Sequence, residues 1–526
     1  MSPPADQRIF ANGVDFLTGD YLTAPQEPEA LAVLAAGEFM QTPQSERSFA
    51  AAINQAIGQP HLGFDVTELG DPAEARWGVI FAASADDRIR QALAPLISHR
   101  AARLGFQPPV FTYQPGWSAA DFLAAHGVGR GFGEVDKVPY YLLIVGSPAQ
   151  VPFRFQYELD PEYAVGRLDF DDAAGYADYV ARLIEYESAA VVPNAREAIF
   201  WATANRGDPS TALTSQRLAR PLCDGVNPAR GFRTEWWGAG GGAEAGASKA
   251  SLAELLSRPR PPALLFTASH GLGFGRSDPR QPAMQGALVT QEWSPGAGIG
   301  PAQIFAGADL GAAANVRGLV YFAFACYGAG TPREDDFAHG HAAARDTSLA
   351  QHGAAGSEPG PAARVIADQP FTADLPRQLL RLGALAFIGH VERAWGYSFL
   401  PPEAPSPLAG GSGPQAQVAA AAPSAPDAMN DAATTVPPGR ASQPPGFARA
   451  IDRLLRGVPV AHALRDMRDR AVQLTAGLFE DLNDIDLGKL IPPESIAARW
   501  QERNDARAYI VLGDPAACLR VNDMTG

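Results

Sequence analysis

The chain has 526 residues, 46% of them hydrophobic and 19% charged, with a formal net charge of −15. That length exceeds what one hydrophobic core usually spans, so it predicts two or three domains or one large elaborated fold, and the composition is too apolar for general disorder. The acidic balance excludes nucleic acid and anionic membrane as partners, both of which need a basic face, and it suits cationic substrates.

Three cysteines, Cys223, Cys326 and Cys518, cannot form a disulfide framework in so long a chain, and no CxxC pair points to zinc. The amino-terminal MSPPADQRIFANGVDF has neither a basic segment nor an apolar core of signal-peptide length, and no later apolar run approaches a membrane span. A soluble, cytoplasmic protein in a reducing compartment is expected, with no cofactor and no metal.

In chain order, residues 1–74 hold a turn and short strand in NGVDFLTGDYL and a helix in QSERSFAAAINQAIG. They read as an extension or cap, a pro-segment or a partner-binding piece. From Arg76 the alternation is regular: WGVIFAAS as a strand, then an amphipathic helix opening on Asp86 and Asp87 and closing on Gly105. PPVFTYQ (strand), SAADFLAAHG (helix, Ser118 as N-cap) and VPYYLLIVGS (strand) follow. The acidic loop FQYELDPEY leads into the strand YAVGRL and the helix AAGYADYVARLIEYESA, which closes a first α/β subdomain at 75–195. Strands alternating with helices imply a mostly parallel sheet covered on both faces.

The same alternation restarts in 196–400 with EAIFWATANRG, STALTSQRLARPLCDG and FRTEWWG. Two buried-type strands then arrive. PALLFTASHGLGFGR delivers His270 and Gly271 into a glycine-rich turn, and GLVYFAFACYGAG delivers Cys326 into another. Residues 331–368 read as a long polar loop, FTADLPRQLLRLG as a helix and ALAFIGHVERAW as a strand with an aromatic-bearing exit. Residues 401–447 are dense in Pro, Ala, Gly, Ser and Gln and read as a disordered insertion. Two helical patterns and the strand ARAYIVLGDPA complete the catalytic subdomain over 448–526.

The chemistry follows from two residue types at the carboxyl ends of parallel strands, where ligands of open α/β sheets bind. A thiol is a useful nucleophile only as thiolate, and a neighbouring imidazole promotes that form. Gly271 lets its backbone N–H approach a substrate carbonyl without a Cβ in the way, and the N–H of Cys326 is the natural second donor of an oxyanion hole. Cys223 and Cys518 are expected in the core. GLGFG (271–275) and GVGRGFG (127–133) lack the remaining residues of nucleotide-binding motifs, and REDDFAHGH (333–341) reads as a polar loop rather than a metal site.

The run ending in SHG, the second ending in AC, and the ordered set LLIVGSPAQVPF, YAVGRL, AFIGHVERAW and YIVLGDPA resemble the caspase and gingipain group of cysteine peptidases, gingipains more closely, over residues 75–526. The resemblance implies a caspase-like three-layer α/β/α fold with two sequential subdomains. It makes Cys326 the nucleophile, His270 the acid and base, and the Gly271 and Cys326 amides the oxyanion hole of an endopeptidase acting on protein substrates. It also implies cleavage after Arg or Lys, with Asp160, Glu158 or Glu162 and the aromatic Trp395 forming the specificity pocket. Specificity for Asp through Arg167 or Arg393, and a non-catalytic signalling scaffold, are the alternatives. Latency is expected too, relieved by a partner protein or by self-cleavage at Arg440, Arg345 or Arg364.

Overall fold

The structure, a computed structural model, describes residues 12–23, 25–41, 68–131, 133–240, 246–335, 365–396, 398–399 and 444–524. The helix expected in QSERSFAAAINQAIG and nearly all of the 401–447 insertion lie outside the described residues.

Among the described residues, ten strands form the main sheet. They are β1 (Trp77–Ala82), β2 (Val110–Tyr113), β3 (Tyr141–Val145), β4 (Ala164–Leu168) and β5 (Ala195–Ala202), then β6 (Arg233–Gly238), β7 (Pro262–Ala268), β8 (Val320–Phe324), β9 (Ala386–His390) and β10 (Tyr509–Gly513). Every residue of β1, β3, β4 and β7 to β10 is buried, which is why these strands read as largely apolar runs rather than alternating ones, Arg167 in β4 being the charged exception. The order across the sheet is β2-β1-β3-β4-β10-β9-β8-β7-β5-β6. All neighbours are parallel except β9 and β10, which are antiparallel. The expected α/β architecture with a mostly parallel sheet is therefore present, as one sheet running through both halves. Strand β10 lies at the seam, pointing with the first half while pairing with the second.

Local signals explain the helix limits. Asp86 caps Asp87–Leu104 by accepting the Arg88 N–H, and Gly105 ends that helix in the left-handed region. Ser118 and Asp121 form a capping box on Ala119–Ala125. Three local readings differ. The acidic loop before YAVGRL is a helix, Phe153–Leu159, with Asp160 at its end. The glycine turn after His270 is a strand, Gly271–Gly273, in a second sheet with Gly13–Asp15, Leu288–Val289 and Ile304–Phe305. Helix Pro493–Ala508 has no counterpart in the apolar periodicity, because it buries Glu502, Arg503 and Asp505 against Arg470, Glu38 and His390.

Charge also holds the seam. Just beyond β10, Asp514 accepts from Arg100 Nε (3.2 Å) and Trp77 Nε1 (3.2 Å), while the Arg100 fork grips Glu187 at 2.7 and 2.8 Å. Tyr179 donates to the Leu385 carbonyl at 2.9 Å and accepts the Asp514 N–H at 2.7 Å, so one hydroxyl ties the entry of β9 to the exit of β10. Burial alone would raise the Glu187 carboxyl, but the Arg100 charge, with hydrogen bonds from His99 and Arg100, lowers it from 4.5 to about 2. A depressed carboxylate stabilises the fold above its unfolded value and loses that share as pH falls toward 2.

Arg100→Met leaves the fully buried Asp514 without its cation and Glu187 with only Arg103 and His99. It is expected to cost about 3–5 kcal/mol, read as a lower urea midpoint at neutral pH. An unchanged midpoint would show that the seam does not depend on this pair.

Candidate active site

Strands β7 and β8 run in register, Ala268 opposite Phe324, so His270 and Cys326 leave the sheet at the same level beyond neighbouring strands. Both side chains are fully buried. His270 Nε2 lies 2.7 Å from Asp208 Oδ2, and its ring is boxed edge-on by Tyr21 and Trp293 at centroid distances of 5.6 and 5.5 Å. Its Nδ1 is buried and makes no hydrogen bond. That nitrogen is the one available for chemistry.

Asp208 is the orienting residue that sequence reading missed. It follows β5, caps helix Pro209–Thr214 through the Ser210 and Thr211 N–H groups, and also accepts from the Thr211 and Tyr21 hydroxyls. Burial works to raise its carboxyl, yet the His270 charge and these hydrogen bonds outweigh it and hold the group below the usual carboxylate range. The Asp-Pro-Ser signature of a helix cap, placed after a strand that pairs with the His270 strand, is the signal that could have found it.

Cys326 has a different environment. Its Sγ accepts the Ala394 N–H at 3.1 Å, and burial pushes the thiol up to about 12, the Ala394 hydrogen bond and the Arg393 charge opposing. The residue after it, Tyr327, holds φ at +58°, and its N–H donates to the carbonyl of Glu392, itself at φ +75°. Two non-glycine residues in the left-handed region thus flank the thiol, where such strain is commonly kept for function.

The two backbone donors expected around this thiol converge. The Gly271 N–H reaches the carbonyl oxygen of Asn12 at 3.1 Å, and the Cys326 N–H reaches the same oxygen at 3.3 Å. The Asn12 N–H in turn donates to the Ala394 carbonyl at 2.8 Å. From there the chain runs as Gly13–Asp15, parallel to Gly271–Gly273. A Cβ built on Gly13 would stand 3.0 Å from Cys326 Sγ, and one on Gly271 only 1.8 Å from the Cys326 carbonyl oxygen. Glycine is therefore required at 271, because any side chain would drive the two strand ends apart.

The specificity candidates are placed elsewhere. Glu158 accepts from the Ala119 N–H and Arg154 Nε, both at 2.8 Å, and Glu162 pairs with Arg130 and the Gly131 N–H at 2.5 Å each. Asp160, raised by burial to about 7, sits 3.8 Å from Arg468. Glu158 and Asp160 line a cavity of about 1000 Å³, together with Glu334, Asp335, Arg468 and Tyr509. Trp395 is buried against Trp500, with ring centroids 5.5 Å apart, and its backbone N–H donates to Asp505 at 3.2 Å. Arg167 is fully buried on Gln156 and the Gly146 carbonyl, and Arg393 pairs with Asp335 and Glu392. Arg345, Arg364 and Arg440 lie outside the described residues, as do Asp336, His339 and His341. Among the described residues no group of three or more His, Cys, Asp or Glu side chains is arranged to hold a metal ion, and no helix is long and apolar enough to cross a membrane.

No protein-family model and no curated protein sequence matches the chain. Similar solved structures include one described as the structure of a protease, with a TM-score of 0.42, 11% identity, and coverage of 85% of this chain and 78% of that one. The Arg-specific cysteine proteinase gingipain R gives a TM-score of 0.40 at 11% identity, over 85% of this chain and 79% of that one. A complex of the pro- and mature domains of Porphyromonas gingivalis RgpB gives 0.36 at 10% identity, over 84% and 80% respectively.

Burial raises the Cys326 thiol far enough to keep it protonated at pH 7. The native chain is expected to resist iodoacetamide at this position at neutral pH, whereas the urea-unfolded chain labels fully; peptide mapping reads both. Rapid native labelling would show that the thiol is neither covered nor protonated.

Proposed function

We propose that this protein is a cysteine endopeptidase. Cys326 is the nucleophile, His270 the general acid and base, Asp208 the residue that orients His270, and the Gly271 and Cys326 amides the oxyanion hole. The observation that carries the reading is the convergence of two strand-end N–H groups on a single peptide carbonyl, that of Asn12, beside Cys326 Sγ. Donors fixed by two rigid strands cost no reorganisation when charge develops on the oxygen between them.

In this mechanism the thiol passes its proton to His270 and attacks the carbonyl carbon of the substrate. The tetrahedral oxyanion is held by the two N–H groups. His270 protonates the leaving amine, the thioester forms, and a water activated by the same imidazole releases the carboxylate product. Asp208 keeps its negative charge throughout, which fixes the ring and favours its cationic form.

Cleavage after Arg or Lys, as the resemblance implies, would draw on Asp160 or Glu158, which line the cavity and now face Arg468 and Arg154. The covered, protonated thiol supports the expected latency.

The test is a fluorogenic peptide panel varied at the residue before the cut, run with a peptidyl chloromethyl ketone as a label. Wild type brought out of latency, by self-cleavage or an activating partner, is expected to hydrolyse at least one member and to take the label on Cys326, and Cys326→Ala to do neither. Asp208→Asn is expected to lower kcat by about 10²–10⁴ with little change in KM. A chain whose covering segment has been released and that still neither cleaves the panel nor labels at Cys326 is not a peptidase.

A further inference from the structure

Asn12 is placed as a substrate residue would be. Its carbonyl occupies the oxyanion hole, its N–H donates to Ala394, and Gly13 lies against the thiol. Its side chain enters a pocket of its own and is fully buried.

That pocket is chemically selective. Asn12 Nδ2 donates to Thr214 Oγ1 at 3.0 Å, and Ser210 Oγ donates to Asn12 Oδ1. Ser210 and Thr214 stand one helical turn apart on Pro209–Thr214, the helix that Asp208 caps, and both are buried. The Thr214 proton is committed to the Ser210 carbonyl at 3.0 Å, so its oxygen faces the pocket as an acceptor. One donor and one acceptor thus meet the acceptor and donor of a carboxamide. An aspartate would set a second acceptor against Thr214 Oγ1, and a longer basic side chain would run into the helix where the buried amide ends. A site built on buried hydrogen bonds rejects residues that leave those bonds unmade.

We propose that the Asn12–Gly13 peptide bond is a substrate of the chain's own active site, and that Ser210 and Thr214 select asparagine before the cut. The proposal rests on the peptidase reading and names a different residue than the acidic end of helix Phe153–Leu159 does. Cys326 Sγ bonds to the Asn12 carbonyl carbon, and its proton moves to His270. The bond to the Gly13 nitrogen then breaks, and that nitrogen takes the proton from His270. Water hydrolyses the thioester, which frees the new Asn12 carboxylate and restores the thiol. Gly13 suits the position after the cut, since a Cβ there would press on Sγ and on Leu22. Until the bond is cut, the segment seals the site.

The test uses the full chain with a carboxyl-terminal tag, followed by intact mass and amino-terminal sequencing over time. Wild type is expected to convert to a chain beginning at Gly13, while Cys326→Ala stays whole. Thr214→Val and Ser210→Ala are expected to slow conversion about 10-fold to 100-fold, and Asn12→Arg to stop it, with unfolding midpoints recorded to show that each variant is folded. The converted protein should hydrolyse an asparaginyl fluorogenic peptide faster than its arginyl counterpart. Wild type that labels at Cys326 and cleaves other peptides, yet keeps the Asn12–Gly13 bond, would overturn this proposal and leave the peptidase standing. A chain that neither labels nor cleaves any peptide overturns both.

Discussion

Two buried N–H groups at the ends of adjacent parallel strands must have an acceptor. Gly271 and Cys326 leave the sheet at one level, so their donors point at one spot, and water is excluded from it. The Asn12 carbonyl meets both. Much of the surrounding structure follows from that requirement. A Cβ at 271 is forbidden, residues 12–15 are drawn into a strand beside Gly271–Gly273, and the thiol is left in a dry place where it holds its proton. An arrangement suited to stabilising a developing oxyanion is, with a ground-state carbonyl in it, equally suited to keeping the site shut.

The second constraint is the low dielectric around His270. A fully buried imidazole facing a fully buried carboxylate survives only because the carboxylate has several other donors: two backbone N–H groups of a helix start and two hydroxyls. His390 and Asp505 repeat the motif at the end of β9, and there Asp505 also takes the Trp395 N–H. The two pairs differ in use. Nδ1 of both imidazoles lacks a hydrogen bond; the first ring stands beyond the strand beside that of Cys326, and the second pins the 390–395 segment whose Ala394 hydrogen-bonds the thiol and Asn12.

The sheet was legible because its strands are buried on both faces and read as apolar runs, and His270 and Cys326 were legible because they stand where such runs stop. Asp208 was hidden in a turn, since its role depends on β5 and β7 being neighbours, which no local pattern states. Asn12 was hidden for a related reason: a three-residue strand has no periodicity, and its only cue is the pairing itself. Helix Pro493–Ala508 escaped because half of what it buries is polar or ionic, from Gln501 to Asp505. The acidic residues before YAVGRL had the composition of a solvated loop, yet a helix with internal ion pairs satisfies the same composition.

The position of β10 bears on how the chain reaches this structure. It is the last strand of the sheet to be made, yet it sits in the middle, pairing Leu512 with Arg167 (512 − 167 = 345 residues apart) and Val511 with Ile388 (511 − 388 = 123 apart). Until it arrives, β4 and β9 are open edges, each with a row of unpaired backbone groups able to recruit another chain. Closing such long loops is slow and comes late. Each half of the sheet therefore has an inner edge of its own that stays unsealed until this one strand zips the two together.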